Sequence, residues 1–232
     1  MKRAIKTWTI RFVSFGLISV LTIIVAVLNP SFLYAHKTEV GNYTVYHEAA
    51  LPAEFESRLA AVHERVKQSE WYDSTHTLKL CLNDGSLYPE MMEALRGPAF
   101  GWGFFDLAVF RGTFDFEANT VSLRGYKWNL EQLMTHELVH CLQFHALGLW
   151  QSNPLGSHPH WKWEGYPEYI SRKGKDQLSL RDNIRRMEEA WKTAPKAWGI
   201  PFEDGTIAPR TYYEAWLLVK FCLEIKGMTY AE

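Results

Sequence analysis

"LMTHELVHCLQFHALG", residues 133–148, is the stretch on which the reading of the whole chain turns. It holds two histidines four residues apart, His136 and His140, with Glu137 directly after the first. No proline or glycine interrupts residues 130–147. Asn129 offers an N-cap, Gln132 three residues on resembles the partner of a capping box, and Gly148 supplies a stop. The stretch therefore reads as one helix. Positions four apart on a helix share a face, so His136 and His140 project together, as two ligands of one metal ion require. Glu137 lies about 100° round the axis from His136, within reach of a metal-bound water but not of the metal itself. Met134, Thr135, Leu138, Val139 and Cys141 are uncharged, which predicts a half-buried helix at the base of a cleft.

Two histidines do not complete a catalytic site; a third protein ligand is needed, with a further position left open. The spacing HExxHxxGxxH fails, because Gln143 and Ala146 stand where Gly and His are required, and His145 is one residue out of register. His158 and His160 lie in "GSHPHW", a loop that could swing in. Glu164 lies in "WKWEGYPEYIS" (161–171), 24 residues after His140. Glu164 and Glu168 would share a helix face. One could bind metal, and the other could accept the proton on a ligand histidine's second nitrogen. Pro167 is tolerated only in a first turn, which predicts that this helix begins near Glu164.

"HELVH" followed by "WKWEGYPEYIS" resembles the gluzincin branch of the zincin metallopeptidases, particularly the small peptidase MA-like domains. The likeness extends over about 77–227, but only these two motifs are specific. "RTYYEAWLLVKFCLEIKG" (210–227) is similar to the Tyr-containing helix that follows the site in that family. The resemblance implies an α+β, zincin-like (thermolysin-type) fold: a small mixed sheet, then the active-site helix and a helical C-terminal part. It implies one Zn2+ per chain held by His136, His140 and Glu164, with Glu168 behind them. The expected activity is peptide-bond hydrolysis. Zinc would acidify its bound water and Glu137 would take the proton as that water attacks a carbonyl carbon. The oxyanion needs a further donor. Tyr212 and Tyr213 are candidates, with Tyr213 placed in the catalytic set; His158 and His160 are others.

The remainder of the 232 residues suits one domain behind an N-terminal segment. Lys2, Arg3, Lys6 and Arg11 precede an uncharged run from Phe12 to Leu28, which predicts a signal anchor or a signal peptide over 1–35. The anchor is the preferred reading, with the membrane crossed at 12–28. The cations are held inside, so a zincin-like domain over 36–232 would lie outside the cytoplasm, secreted if the segment is cleaved. A formal charge of -1 with no basic block gives no case for nucleic acid. Oligomeric state is not legible. Cys81, Cys141 and Cys222 form no framework and read as free thiols, although a Cys81–Cys222 pair is conceivable outside the cell.

Strands are expected at 41–48 and 77–83, helices at 52–70 and 88–96. Two strands joined by a turn are expected within 99–125, the later one (119–125) as an edge to which a peptide substrate could add. Two other readings compete with the peptidase. One is a zincin-like binding or sensing domain with little turnover. The other is a zinc amide hydrolase on cell-wall material, for which Trp161 and Trp163 could stack on sugars.

Overall fold

The helix that carries the two histidines, α4 (Leu130–Leu147), is the element around which the others are arranged. Asn129 caps it through a side-chain oxygen that accepts from Gln132 N at 3.0 Å, and Gly148 ends it at φ 72°. Every residue from Leu130 to Phe144 is buried, so the helix is enclosed all round rather than half covered. Two arginines of α2 (Glu54–Val66) offset the one early charge this encloses. Arg58 and Arg65 pair with Glu131 at 2.9 and 2.5 Å, so the buried carboxylate is not left unpartnered.

The computed structural model describes residues 2–232, and among them the fold is α+β, with seven α-helices and three small sheets. β1 (His36–Val40), β2 (Tyr43–His47), β3 (Leu78–Cys81), β4 (Gly101–Phe104) and β5 (Leu107–Phe110) form a mixed sheet in the order β1-β2-β3-β5-β4. β2, β3 and β5 are parallel, and β1 and β4 run antiparallel to them at the two edges. Parallel neighbours need crossovers. α2 supplies the first, and α3 (Tyr88–Arg96) lies in the second. A three-stranded sheet, β6 (Thr113–Asp115), β7 (Thr120–Leu123) and β8 (Tyr126–Asn129), leads into α4. After it come α5 (His160–Ser171), α6 (Leu180–Thr193), the hairpin β9 (Gly199–Pro201) with β10 (Ile207–Pro209), and α7 (Arg210–Lys220), which ends in a π-helical turn.

Two apolar clusters sandwich the five-stranded sheet and α4. One joins Phe55, Leu59, Val62 and Val66 of α2 to Leu80, Leu133 and Leu138. The other runs from Tyr34 and Tyr88 through Trp102 and Phe104 to Phe144 and Trp163. Packing is close where β4 crosses α4. A Cβ on Gly103 would fall 2.1 Å from the Glu137 carbonyl oxygen, so only glycine lets strand and helix approach this far.

Several expectations change. The strand foreseen at 41–48 is present as β2, and it pairs across the turn at Gly41 (φ 56°) with β1, which was not foreseen because its charged residues lack apolar alternation. Residues 99–125 hold four strands, since Phe105 at φ 50° supports a two-residue turn in a non-glycine position. The segment 119–125 is not an edge: β7 lies between β6 and β8, and the free edge next to α4 is β4. The helix expected to begin near Glu164 begins at His160, with Pro167 inside it. Pro167 leaves the Trp163 carbonyl without an i+4 donor, and Gln143 Nε2 on α4 donates to that oxygen at 3.1 Å. The neighbouring helix thus satisfies the group that proline frees.

The three cysteines are free, Cys81 and Cys141 fully buried. α1 (Lys2–Leu28) contains an 18-residue window, Arg11–Leu28, of mean hydropathy 2.3, none of whose residues is buried. It is long and apolar enough to span a membrane or to act as a signal sequence.

Candidate metal centre

The imidazoles of His136 and His140 leave α4 on one face, one turn apart, and Glu164 reaches them from the second turn of α5. Three donor atoms converge. His140 Nε2 is 3.1 Å from His136 Nε2 and 3.1 Å from Glu164 Oε2, and His136 Nε2 is 3.3 Å from the same oxygen. Ligands about 2.0–2.1 Å from a tetrahedral ion stand about 3.3 Å from one another. The triangle therefore has the dimensions of three corners of such a site. Among the described residues these three form the one group of His, Cys, Asp and Glu able to hold a metal ion.

The outward-facing nitrogens fix which lone pairs point inward. His136 Nδ1 lies 3.0 Å from Glu168 Oε1, and His140 Nδ1 lies 2.6 Å from Gln143 Oε1. A carboxylate and an amide oxygen can only accept, so each Nδ1 carries a proton and each Nε2, when the ring is neutral, turns a lone pair to the centre. Two lone pairs and a carboxylate oxygen facing one another repel unless a positive charge lies among them, a metal ion or, without one, the proton that His136 holds. This donor set, two imidazoles and a carboxylate, suits a divalent metal ion.

The charges follow the same logic. Burial disfavours the His136 cation, but Glu164 and Glu168 outweigh it and hold that imidazole up to about 10 without metal. Burial alone would raise the Glu164 carboxyl, yet His140 and His136 beside it keep it well below the usual carboxylate range. Glu168, fully buried, is also held ionised against its burial, by Arg172 and then His136. Glu168 pairs with the Arg172 guanidinium, which is enclosed by the rings of Phe202, Tyr213 and Trp216 at 5.3, 6.0 and 5.2 Å.

Glu137 lines a cleft of about 200 Å³ together with His136, His140, Glu164, Gly101, Gly103 and Tyr212. Burial pushes its carboxyl up, countered by His136 and His140. Tyr212, not Tyr213, enters this cleft. Its ring lies 5.7 Å from that of His136. Burial pushes its phenol well up, and the carboxylates of Glu164, Glu137 and Glu168 add to the shift, so the hydroxyl keeps its proton. The placement of Tyr213 in the catalytic set is corrected: it is fully buried on another face of α7, and its hydroxyl donates to Asn183 Oδ1 at 2.5 Å. Adjacent helical residues point about 100° apart, so only one of the two can face the metal centre.

His158 and His160 do not join the ligands. His158 stacks on Trp163 and its Nε2 lies 2.6 Å from the Gln151 carbonyl oxygen, while His160 sets its ring edge-on to Tyr212. His145, exposed, stacks near His76 instead. Trp163 is buried with its indole stacked on His140, leaving no face for a sugar; Trp161 remains part-exposed. Gln143 and Arg172 were not foreseen. Gln143 entered the sequence reading only as a mismatch, and nothing in the spacing marks a side chain that serves His140 and the Trp163 carbonyl together.

No family model matches the chain, and neither the curated proteins nor the solved structures hold a significant match. The gluzincin resemblance therefore rests on the two motifs alone.

Proposed function

We propose that the chain is a zinc metallopeptidase with a zincin-like fold, held to a membrane by α1 and active outside the cytoplasm. The observation that carries this reading is the inward-facing triangle of His136, His140 and Glu164 with Glu137 lining the same cleft. A divalent ion bound there supplies Lewis acidity toward a carbonyl oxygen and toward water. Glu137 accepts a proton from the attacking water and delivers it to the leaving amine. Its upward shift brings the carboxylate closer to the basicity that task needs. Tyr212, protonated and facing the cleft, donates to the developing oxyanion.

The substrate backbone has a natural place. In the β4–β5 hairpin, Phe104 pairs with Leu107 and Trp102 with Val109, and Arg111 N donates to Phe100 O. Alternate residues of an antiparallel edge strand turn their peptide groups outward, here Gly101 and Gly103. Both line the cleft. An extended peptide adding to this edge runs past Glu137 and the three ligands.

Glu137→Gln tests the mechanism. The variant retains its metal and loses at least 10²–10⁴-fold in peptide cleavage, measured as turnover of a mixed peptide library by mass spectrometry beside metal content. Full activity in Glu137→Gln removes this residue from the mechanism. A metal-loaded wild type that cleaves no member of the library favours a binding or sensing domain.

A further inference from the structure

The last turn of α1 does not simply trail away from the domain. Tyr88 Oη donates to the Val27 carbonyl oxygen at 2.5 Å, and Val27 and Leu33 pack on the cluster that contains Tyr34, Tyr88 and Met92. Ser86 Oγ donates to Leu33 O at 2.6 Å, and Tyr34 Oη donates to Leu82 O at 2.8 Å. The exit of α1 is thereby fixed to the start of α3. Beside that junction, α3 and its N-cap carry an apolar face that the protein covers only in part. Leu87, Met91 and Leu95 recur every fourth residue and so share one side of the helix. Leu87 is 72% exposed and Leu95 50%, Met91 between them is half-buried against the Tyr88 cluster, and Tyr88 and Met92, about 100° round the axis, are buried. Phe32, 71% exposed, flanks the same Ser86–Leu33 hydrogen bond that Leu87 does. Three exposed apolar side chains, with the half-buried Met91 among them, thus continue outward from the end of an apolar helix.

We infer that Phe32, Leu87, Met91 and Leu95 form a seat on the lipid bilayer, with α3 lying in the headgroup region beside the emerging α1. The occupant follows from continuity. If α1 crosses a membrane, its last turn ends at the hydrocarbon boundary, and a side chain joined to that turn lies at the interface. A short helix with one apolar face is suited to that plane. The seat also places the cleft. Arg96, the last residue of α3, lines the metal cleft, and it lies about 12 Å along the helix from Tyr88 at 1.5 Å per residue. Resting on the peptidase reading above, this assigns a substrate class: polypeptides presented close to the membrane surface, such as the segment adjoining another protein's own membrane helix.

The test measures depth, not turnover, so it stands or falls independently of catalysis. Full-length chain is reconstituted in phosphatidylcholine–phosphatidylglycerol vesicles with Cys222 replaced by serine, the other two cysteines being buried. A nitroxide is placed in turn at Leu87→Cys, Leu95→Cys and, on the exposed face of α2, Glu56→Cys. Power saturation then compares collisions with oxygen, which enriches in lipid, and with a water-soluble nickel chelate. The seat predicts that labels at 87 and 95 favour oxygen over nickel several-fold relative to the label at 56. Labels at 87 and 95 as nickel-accessible as that at 56 overturn it. Labels shielded from both reagents and broadened by spin–spin coupling also overturn it, since they place a second copy on this face. Metal-free and Glu137→Gln chains must give the same depths, so failure of the peptidase reading leaves this result readable.

Discussion

The Gln143 amide joins the two halves of the candidate metal centre. Its oxygen holds His140 in the tautomer a metal needs, and its nitrogen satisfies the Trp163 carbonyl that Pro167 frees one residue before Glu164. Gln143→Leu removes both bonds inside a fully buried site, and metal affinity should fall about 10–100-fold in a chelator competition. Gln143→Glu restores an acceptor for His140 but no donor for Trp163, and should fall between the two. An unchanged affinity in Gln143→Leu would reduce Gln143 to packing. His136 gives a second, pH-dependent signature. Its folded-state value of about 10 lies above 6.5, so its ion pairing stabilises the metal-free protein fully below pH 6.5, and that contribution is lost as pH rises through 10. Metal must displace this proton. Apparent affinity should therefore climb about tenfold per pH unit across the neutral range, with close to one proton released per ion in calorimetry run in buffers of different ionisation enthalpy. No proton release would contradict the charge state assigned to His136.

At the scale of elements, the contact of β4 with α4 sets the depth of the cleft. Gly103→Ala pushes a methyl into the Glu137 backbone, which has nowhere to go, and should destabilise the fold by about 1–3 kcal/mol or more in denaturant titration. Gly101→Ala meets the Glu137 side chain at 2.8 Å instead, so it should displace the carboxylate and cut turnover with a smaller loss of stability. Equal stability losses in the two variants would show that strand and helix relax together. Legibility also divides at this scale. α4 is readable because its caps and its uncharged run are local signals, and α2, β3 and α3 because their apolar spacing is. β1 is hidden by its charges, the β4–β5 turn by a non-glycine residue at positive φ, and the start of α5 by a proline whose cost α4 offsets. Only the last of these is a tertiary contact overriding a local rule; the first two are local sequences that do not carry the usual signal.

For the whole molecule, a short chain links an apolar N-terminal helix to a buried triangle of donors through one continuous cluster, from Val27 by way of Tyr88 and Trp102 to Trp163. The α+β class and the apolar segment are plain in the sequence, because composition and hydropathy report them directly. The convergence of His136, His140 and Glu164 is plain only for the first two. A gap of 24 residues to Glu164 has no geometric period, and the motif likeness alone points to it. Tyr212 and Tyr213 could not be told apart, since only the rotation of α7 against α5 decides which faces the cleft.

The central claim is that these three side chains hold one metal ion, and elemental mass spectrometry on the full-length chain in detergent tests it most directly. Wild type and Glu164→Ala are measured side by side after equilibration with zinc and removal of free ions. The account predicts about one zinc per chain in wild type and far less in Glu164→Ala. A folded wild type that retains no metal would contradict it, and so would a Glu164→Ala variant that keeps its full complement.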